Sequence, residues 1–356
     1  MKAWERNIRS VEPYVPGEQP KEKNVIKLNT NESPYPPSPK VTQVQKELDT
    51  EVFRLYPDTE ANPLAKELAG YYGMNEDQVF VGVGSDDVLG MAFMTFFNSD
   101  KPILFPDITY SFYDVWAELY RIPYEQPKLN NNFKIQKEDY YKENGGVVIA
   151  NPNAPTSIGE SKDFIEDIVK HNQDVVVIVD EAYVDFGGES VLSLVDQYEN
   201  LLVVQTFSKS RAMAGMRIGY CFGNKDLIQA MKNVKYSYNS YTMNMPSILT
   251  GIAAIKDDTY FHEMVAKIVK TRDQAKERFE ELGFHVLDSK TNFLFVSHQA
   301  IPATEIFTYL KAKRIFVRHF DKPRINNYLR VTIGTDEQME TLFQNLKTYI
   351  NEYHKH

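Results

Sequence analysis

Apolar residues in this chain fall into two kinds of run that alternate along its length. The first kind is short and unbroken: Val79-Phe80-Val81, Ile103-Leu104-Phe105, Val147-Val148-Ile149-Ala150, Val175-Val176-Val177-Ile178-Val179 and Leu201-Leu202-Val203-Val204. Runs of this length, rich in β-branched residues, read as strands buried on both faces. A further strand is expected over 217–222. The second kind has helical spacing. Over 63–73, Leu64, Leu68 and Tyr71 share one face, and a helix is expected from Val88 to Phe97. Helices are also expected at 225–235 and 246–256, on either side of a tyrosine-rich loop, Tyr236 to Tyr241. Strands separated by helical stretches predict an α/β fold with a mostly parallel sheet and helices on both faces.

The pattern changes after residue 258. Phe261, Val265, Ile268, Arg272, Ala275 and Phe279 keep helical register over 259–282. This helix is expected to lead into a smaller α+β domain. Its strands would be 284–287, 292–296, 315–318 and 328–333, and its helices 303–312 and 335–352. The last opens on Thr335-Asp336-Glu337-Gln338, a capping box. Residues 1–35 are rich in proline, asparagine and charge and read as an arm. The expected division is an arm at 1–35, a large domain at 36–257 and a small domain at 258–356.

Composition narrows the function classes. The net charge of −9 argues against a nucleic-acid surface. No apolar run reaches membrane-spanning length, and no basic start followed by an apolar stretch suggests a signal peptide. The seven histidines are scattered without metal-ligand spacing. The single cysteine, Cys221, rules out an intrachain disulfide and suits a reducing cytoplasm. It lies in a strand-like run and reads as core.

Candidate chemistry lies where the strands end. Asp180-Glu181-Ala182-Tyr183 follows one buried run, and Thr206-Phe207-Ser208-Lys209 follows the next. Ligands of open α/β sheets bind outside the carboxyl ends of the strands. There, a lysine can form a Schiff base with a carbonyl cofactor. A carboxylate can keep a pyridine nitrogen protonated, and Ser208 and Arg217 suit a phosphate. Gly82-Val83-Gly84-Ser85-Asp86-Asp87 is a strand-to-helix turn that offers N–H groups to an anion. Each signal has a plain alternative: a surface lysine, a helix-capping aspartate, a core tyrosine, an ordinary βα turn. Their order along the chain favours one shared site.

Together with Leu28-Asn29-Thr30-Asn31-Glu32-Ser33-Pro34, Arg54-Leu55-Tyr56-Pro57 and Leu329-Arg330-Val331-Thr332-Ile333-Gly334-Thr335, these motifs resemble the fold type I, class II pyridoxal-phosphate aminotransferases over nearly the whole chain. The likeness is strongest to the histidinol-phosphate branch. It implies pyridoxal 5'-phosphate held as a Schiff base on Lys209, with Asp180 at the pyridinium and Tyr183 at the phenolate oxygen. Tyr110 would stack on the ring, and Asn153 and Thr206 would lie beside the cofactor. Gly84, Ser85, the Asp86 N–H, Ser208 and Arg217 would hold its phosphate, and Tyr56 would reach it from the partner of a homodimer. Arg330 and Arg318 would bind the acidic group of the substrate, with Asn31, Tyr14 and Asn292 in the same pocket and Tyr14 a candidate for donation by the partner. The implied reaction is transamination between L-histidinol phosphate and 2-oxoglutarate in histidine biosynthesis. An aromatic amino acid aminotransferase and a threonine-phosphate decarboxylase are the alternatives.

The chain departs from the family pattern Asn-Asn-Pro-Thr-Gly, reading Asn153-Ala154-Pro155-Thr156-Ser157. Ala154 cannot donate to the phenolate oxygen. Either Asn153 reaches it, or Tyr183 carries that contact alone. Pro34-Tyr35-Pro36-Pro37 and the tyrosine loop also differ from the commonest family forms.

Overall fold

A computed structural model describes residues 2–354; the domain bounds expected at 1 and 356 lie outside the described residues. A seven-stranded sheet runs in the order Val79–Gly82, Gly219–Gly223, Leu201–Thr206, Val177–Asp180, Gly146–Ala150, Ile103–Leu104, Tyr124–Glu125. All neighbours are parallel except Gly219–Gly223, which is antiparallel to both of its partners. Alternation along each strand feeds two cores. Val147, Ile149, Val177, Val179, Leu201 and Val203 pack on helix residues such as Leu64, Leu68 and Ile165. Val148, Ile178, Leu202, Val204 and Cys221 pack on Leu89, Phe93, Trp116 and Met231. With both faces covered, every strand position is buried except in the edge strand Tyr124–Glu125, which is why the runs are unbroken.

A second structural unit has its own core. Four antiparallel strands lie in the order Arg318–His319, Leu329–Thr332, Phe293–His298, Phe284–Val286. Helices Asp258–Glu281, Ala303–Ala312 and Asp336–Tyr353 cover them, burying Phe279, Ile306, Leu342 and Leu346. The capping box of the last helix forms as expected, with Gln338 N–H donating to Thr335 Oγ1 and Thr335 N–H to Gln338 Oε1. The end of the arm joins this unit: Ile26–Lys27 pairs in parallel with Ile315–Phe316.

The differences from expectation have local causes. The run 315–318 divides at Val317, because its two halves pair with different partners, the arm and Leu329–Thr332. The run at Val175 joins the sheet only at Val177, its first two residues being half-exposed. The strand expected at 217 begins at Gly219, because Arg217 takes a left-handed φ of 52°. Tyr236 and Tyr238 end the helix Lys225–Tyr238 and are not loop residues. The helix expected from Val88 starts at Ser85, so the acidic pair Asp86-Asp87 forms its first turn.

Candidate active site

Register places the chemistry on one edge. Gly82 and Thr206 both pair with Gly219, and Asp180 pairs with both Val204 and Ala150. The loops leaving these strand ends surround a cavity of about 240 Å³. Ser85, Asp86, Tyr110, Asp180, Tyr183, Ser208, Lys209 and Arg217 line it, as the sequence led us to expect. Lys209 is the one lysine on the wall among the described residues, and its Nζ lies 5.6 Å from the centroid of the Tyr183 ring.

Asp180 is buried beneath this cavity. Its Oδ2 accepts from Tyr113 Oη at 2.8 Å and its Oδ1 from the Ala182 N–H at 3.1 Å. Burial pushes its carboxyl up to about 6, while the two donors and the Lys209 charge act in the opposite sense. Such a group ionises readily once a cation lies beside it. Glu181, next in sequence, faces away and accepts from Ser190 Oγ, the Val191 N–H and Gln205 Nε2.

At the other end, helix Ser85–Phe96 begins at Gly84 without a side-chain cap, leaving its first N–H groups for an anion. Gly84 has φ 87°, and a Cβ there would strike the Arg217 guanidinium. The helix start also lies directly on Gly219, where a Cβ would collide with the Gly84–Ser85 backbone. Both glycines are thus required by close approach. Arg217 pairs with Asp86 at 3.3 Å, and the other Asp86 oxygen accepts from Tyr110 Oη at 2.8 Å.

The remaining expectations divide. Thr206 is buried and shapes the turn, accepting the Ser208 N–H at 3.1 Å and donating to Ser208 Oγ at 3.0 Å, but it does not line the cavity. Asn153 is likewise committed elsewhere. It donates to Ile108 O and Thr156 Oγ1 and accepts from Thr109 Oγ1, so Pro152 and Ala154 form the wall there. Ser157 adopts φ 68°, a conformation glycine takes without cost, and its hydroxyl donates to Asp288 O at 3.1 Å. Asn31 is buried with φ 58° and holds Tyr183 Oη at 2.8 Å. Its carboxamide oxygen accepts from Thr332 Oγ1, so Asn31 orients Tyr183 and is not open to a ligand. Asn292 is buried too, donating to Asn31 O at 3.0 Å.

Arg318 and Arg330 are directly opposed on adjacent antiparallel strands. Neither forms an ion pair with a carboxylate among the described residues. Arg330 donates to Asn29 O at 3.0 Å, and its buried Nε has no partner. Burial, reinforced by the Arg318 charge, lowers its pKa. Arg318 donates to the carbonyls of Val15 and Pro16, both at 3.3 Å. The arm that supplies these carbonyls is the chain's own. Tyr14 of this arm stacks on Phe112 at 4.1 Å between centroids and lines, with Arg318, a neighbouring cavity of about 640 Å³. Tyr56 is 80% exposed, against Tyr241, and outside the cavity lining.

Sequence reasoning missed Tyr113, whose position three residues after Tyr110 reads as core spacing. It also missed Thr30, Glu32 and Gln19 on the cavity wall, which lie in irregular segments where no periodicity marks a face.

The model of the family "Aminotransferase class I and II" matches residues 23–346. The chain is 49% identical over 353 residues to the histidinol-phosphate aminotransferase of Lactococcus lactis subsp. cremoris (strain MG1363), covering 99% of each chain. It is 51% identical over 354 residues to that of Acinetobacter baylyi, covering 99% of this chain and 98% of the relative. The structure of histidinol-phosphate aminotransferase from Sinorhizobium meliloti in complex with pyridoxal-5'-phosphate matches with a TM-score of 0.84. Its identity is 22%, over 92% of this chain and 91% of that one.

Proposed function

This chain belongs to the class I and II aminotransferases, and from that premise we propose a transamination that moves the amino group of L-histidinol phosphate to 2-oxoglutarate, giving imidazole acetol phosphate and L-glutamate, within histidine biosynthesis. The cofactor is pyridoxal 5'-phosphate. The residues around the cavity fit it: one amine, one buried carboxylate and an uncapped helix start beside an arginine. When bound, it supplies an electrophilic carbon and a ring that withdraws electrons from the substrate's Cα.

The chain supplies the rest. Lys209 would hold the cofactor covalently, and its Nζ, once freed by the substrate amine, would carry the proton from the substrate's Cα to the cofactor carbon that Lys209 had held. Asp180 would face the pyridine nitrogen and keep it protonated. Tyr183, held by Asn31, would donate to the phenolate oxygen without help from Asn153, and Tyr110 would cover the ring. The N–H groups of Ser85 and Asp86 with Ser208 and Arg217 would hold the phosphate. Gly84 would let them approach.

The observation that carries the substrate assignment is the cross-strand pair Arg318–Arg330 without a carboxylate. Two adjacent guanidiniums repel unless an anion joins them, and a dianionic phosphate suits them better than one carboxylate. Arg330 would serve phosphate and 2-oxoglutarate in turn, and Arg318 would favour the phosphate. Tyr14 lies near enough to feel both charges, although burial still raises its pKa. A coupled assay of glutamate formation from 2-oxoglutarate tests the reading. L-histidinol phosphate should support turnover well ahead of L-phenylalanine, and phosphothreonine should release no carbon dioxide. Faster turnover of phenylalanine would favour an aromatic amino acid enzyme.

We propose further that two copies form the enzyme. Phe53, Leu55, Tyr56, Tyr236, Tyr238 and Tyr241 are large apolar side chains left exposed, and Tyr56 would reach the partner's cofactor phosphate. Mixing Tyr56→Ala with Lys209→Ala subunits should then restore activity that neither variant shows alone. The divisions at 36–257 and 258–356 are proposed from the separate core of the second unit. No helix among the described residues is long and apolar enough to cross a membrane, and the single buried cysteine supports a cytoplasmic setting.

A further inference from the structure

Tyr110 and Tyr113 leave one turn and donate to two different acids of the site, Asp86 and Asp180, each at 2.8 Å. Tyr113 is fully buried among Phe93, Phe105 and Trp116, with ring centroids 5.8 to 6.3 Å away. Nothing else receives its hydroxyl proton. Asp180 Oδ2 in turn has no other donor, because its second bond, from the Ala182 N–H, goes to Oδ1. A phenylalanine would fill the same space, so the hydroxyl is dispensable for packing and specific to the carboxylate.

We propose that Tyr113 is a positioning residue that holds Asp180 ionised and aimed at the cofactor ring nitrogen. This rests on the reading that Asp180 serves that nitrogen. A buried carboxylate with one donor removed takes up a proton more readily. The charged and titratable groups acting on Asp180 are Tyr113 from its own helix, Asp86 from the glycine turn and Lys209 from the neighbouring strand end, while Tyr110 and Tyr183 on the cavity wall act on Tyr113. Asp86 opposes ionisation and Lys209 supports it, so Tyr113 adds the hydrogen bond that favours the charged form. A neutral, protonated Asp180 has no charge to offer a protonated ring, and affinity for the cofactor falls below the pH at which Asp180 titrates.

The test is the pH profile of pyridoxal phosphate affinity, measured by equilibrium fluorescence on the cofactor-free dimeric or monomeric chain as purified. Tyr113→Phe should weaken affinity by about tenfold to a hundredfold at neutral pH, and move the acid limb of the profile to higher pH. A single 3-fluorotyrosine at position 113, a stronger donor, should move that limb to lower pH, and this arm remains informative if Tyr113→Phe folds poorly. Phe105→Leu, which loosens the same aromatic cluster, should lower the melting temperature and leave the limb in place. Unchanged affinity and limb in both residue-113 variants would overturn the proposal. Asp180→Asn separates it from the reading beneath it: if that variant also binds normally, Asp180 does not serve the ring nitrogen at all. If only Asp180→Asn binds weakly, the aspartate role stands and the Tyr113 role falls.

Discussion

Two cationic regions, one on the wall of the active-site cavity and one in the second unit, are neutralised differently. Arg217 meets Asp86 across 3.3 Å at the start of a helix. Arg318 and Arg330 stand side by side, donate only to backbone carbonyls and lie over the Phe293 and Phe320 rings. The first region carries its own counter-charge and is assembled before any ligand arrives. The second holds two charges apart from any acid, a costly arrangement unless an anion is to join them. On the proposed function, the first would hold a resident phosphate and the second an exchanging one. The adjacent acids repeat the contrast. All three donors to Glu181 belong to the protein, whereas Asp180 lines the cavity.

Breaking the comparison at its centre has the largest effect. Lys209→Ala should abolish turnover while leaving both anion regions intact, so that cofactor phosphate and substrate phosphate still bind; retained activity in a steady-state assay would remove the chemical core of the account. Arg330→Ala comes next. It should weaken histidinol phosphate and glutamate together by roughly 1.5–3 kcal/mol, the worth of a charge-assisted hydrogen bond, read as matched losses in kcat/KM for the two substrates.

Glu181 sharpens the contrast through pH. Burial pushes its carboxyl up to about 7, ahead of the opposing effect of its three donors. The folded chain therefore binds this proton more tightly than the unfolded one. Stability from this group is highest near the ordinary glutamate range, falls as pH rises towards 7, and levels off above it. Glu181→Gln should remove a slope of up to roughly 3 kcal/mol across that window, seen in melting temperatures of the cofactor-free protein between pH 5 and 8. Asp180 adds a slope of the same sign that ends near pH 6, and this one should persist in the variant. The smallest effect is expected at Asp86→Asn. Both partners of its ion pair are about 40% exposed, so solvent screening leaves less than about 1 kcal/mol, and pyridoxal phosphate affinity should change only a few-fold.

The sheet was legible because both its faces are buried. Continuous runs such as Leu201–Val204 then have no other reading, and their polar terminators, Asp180 and Thr206, mark the functional edge. Lys209, Tyr183, Ser208 and Arg217 followed from that edge, Ser85 and Asp86 from the glycine turn together with the family resemblance, and Tyr110 from the resemblance alone. What could not be read was direction within polar segments. Asn153 and Asn31 carry the same group as a ligand-binding asparagine, yet their partners Ile108, Thr156 and Thr332 are distant in sequence or hidden in a turn. Tyr113 was missed for the converse reason: its ring obeys core spacing, and only the fold reveals an acid at its hydroxyl. The path of the arm, with Val15 and Pro16 over Arg318, has no periodicity to announce it.

The most direct test of the central contrast is single-turnover loss of the cofactor's visible absorbance in the Arg318→Ala variant, with L-histidinol phosphate and L-glutamate supplied separately. The account predicts that the apparent affinity for histidinol phosphate falls by about tenfold or more, while that for glutamate changes little. Equal losses for both donors would show that Arg318 does not select the phosphate, and would contradict the reading of the arginine pair as its site.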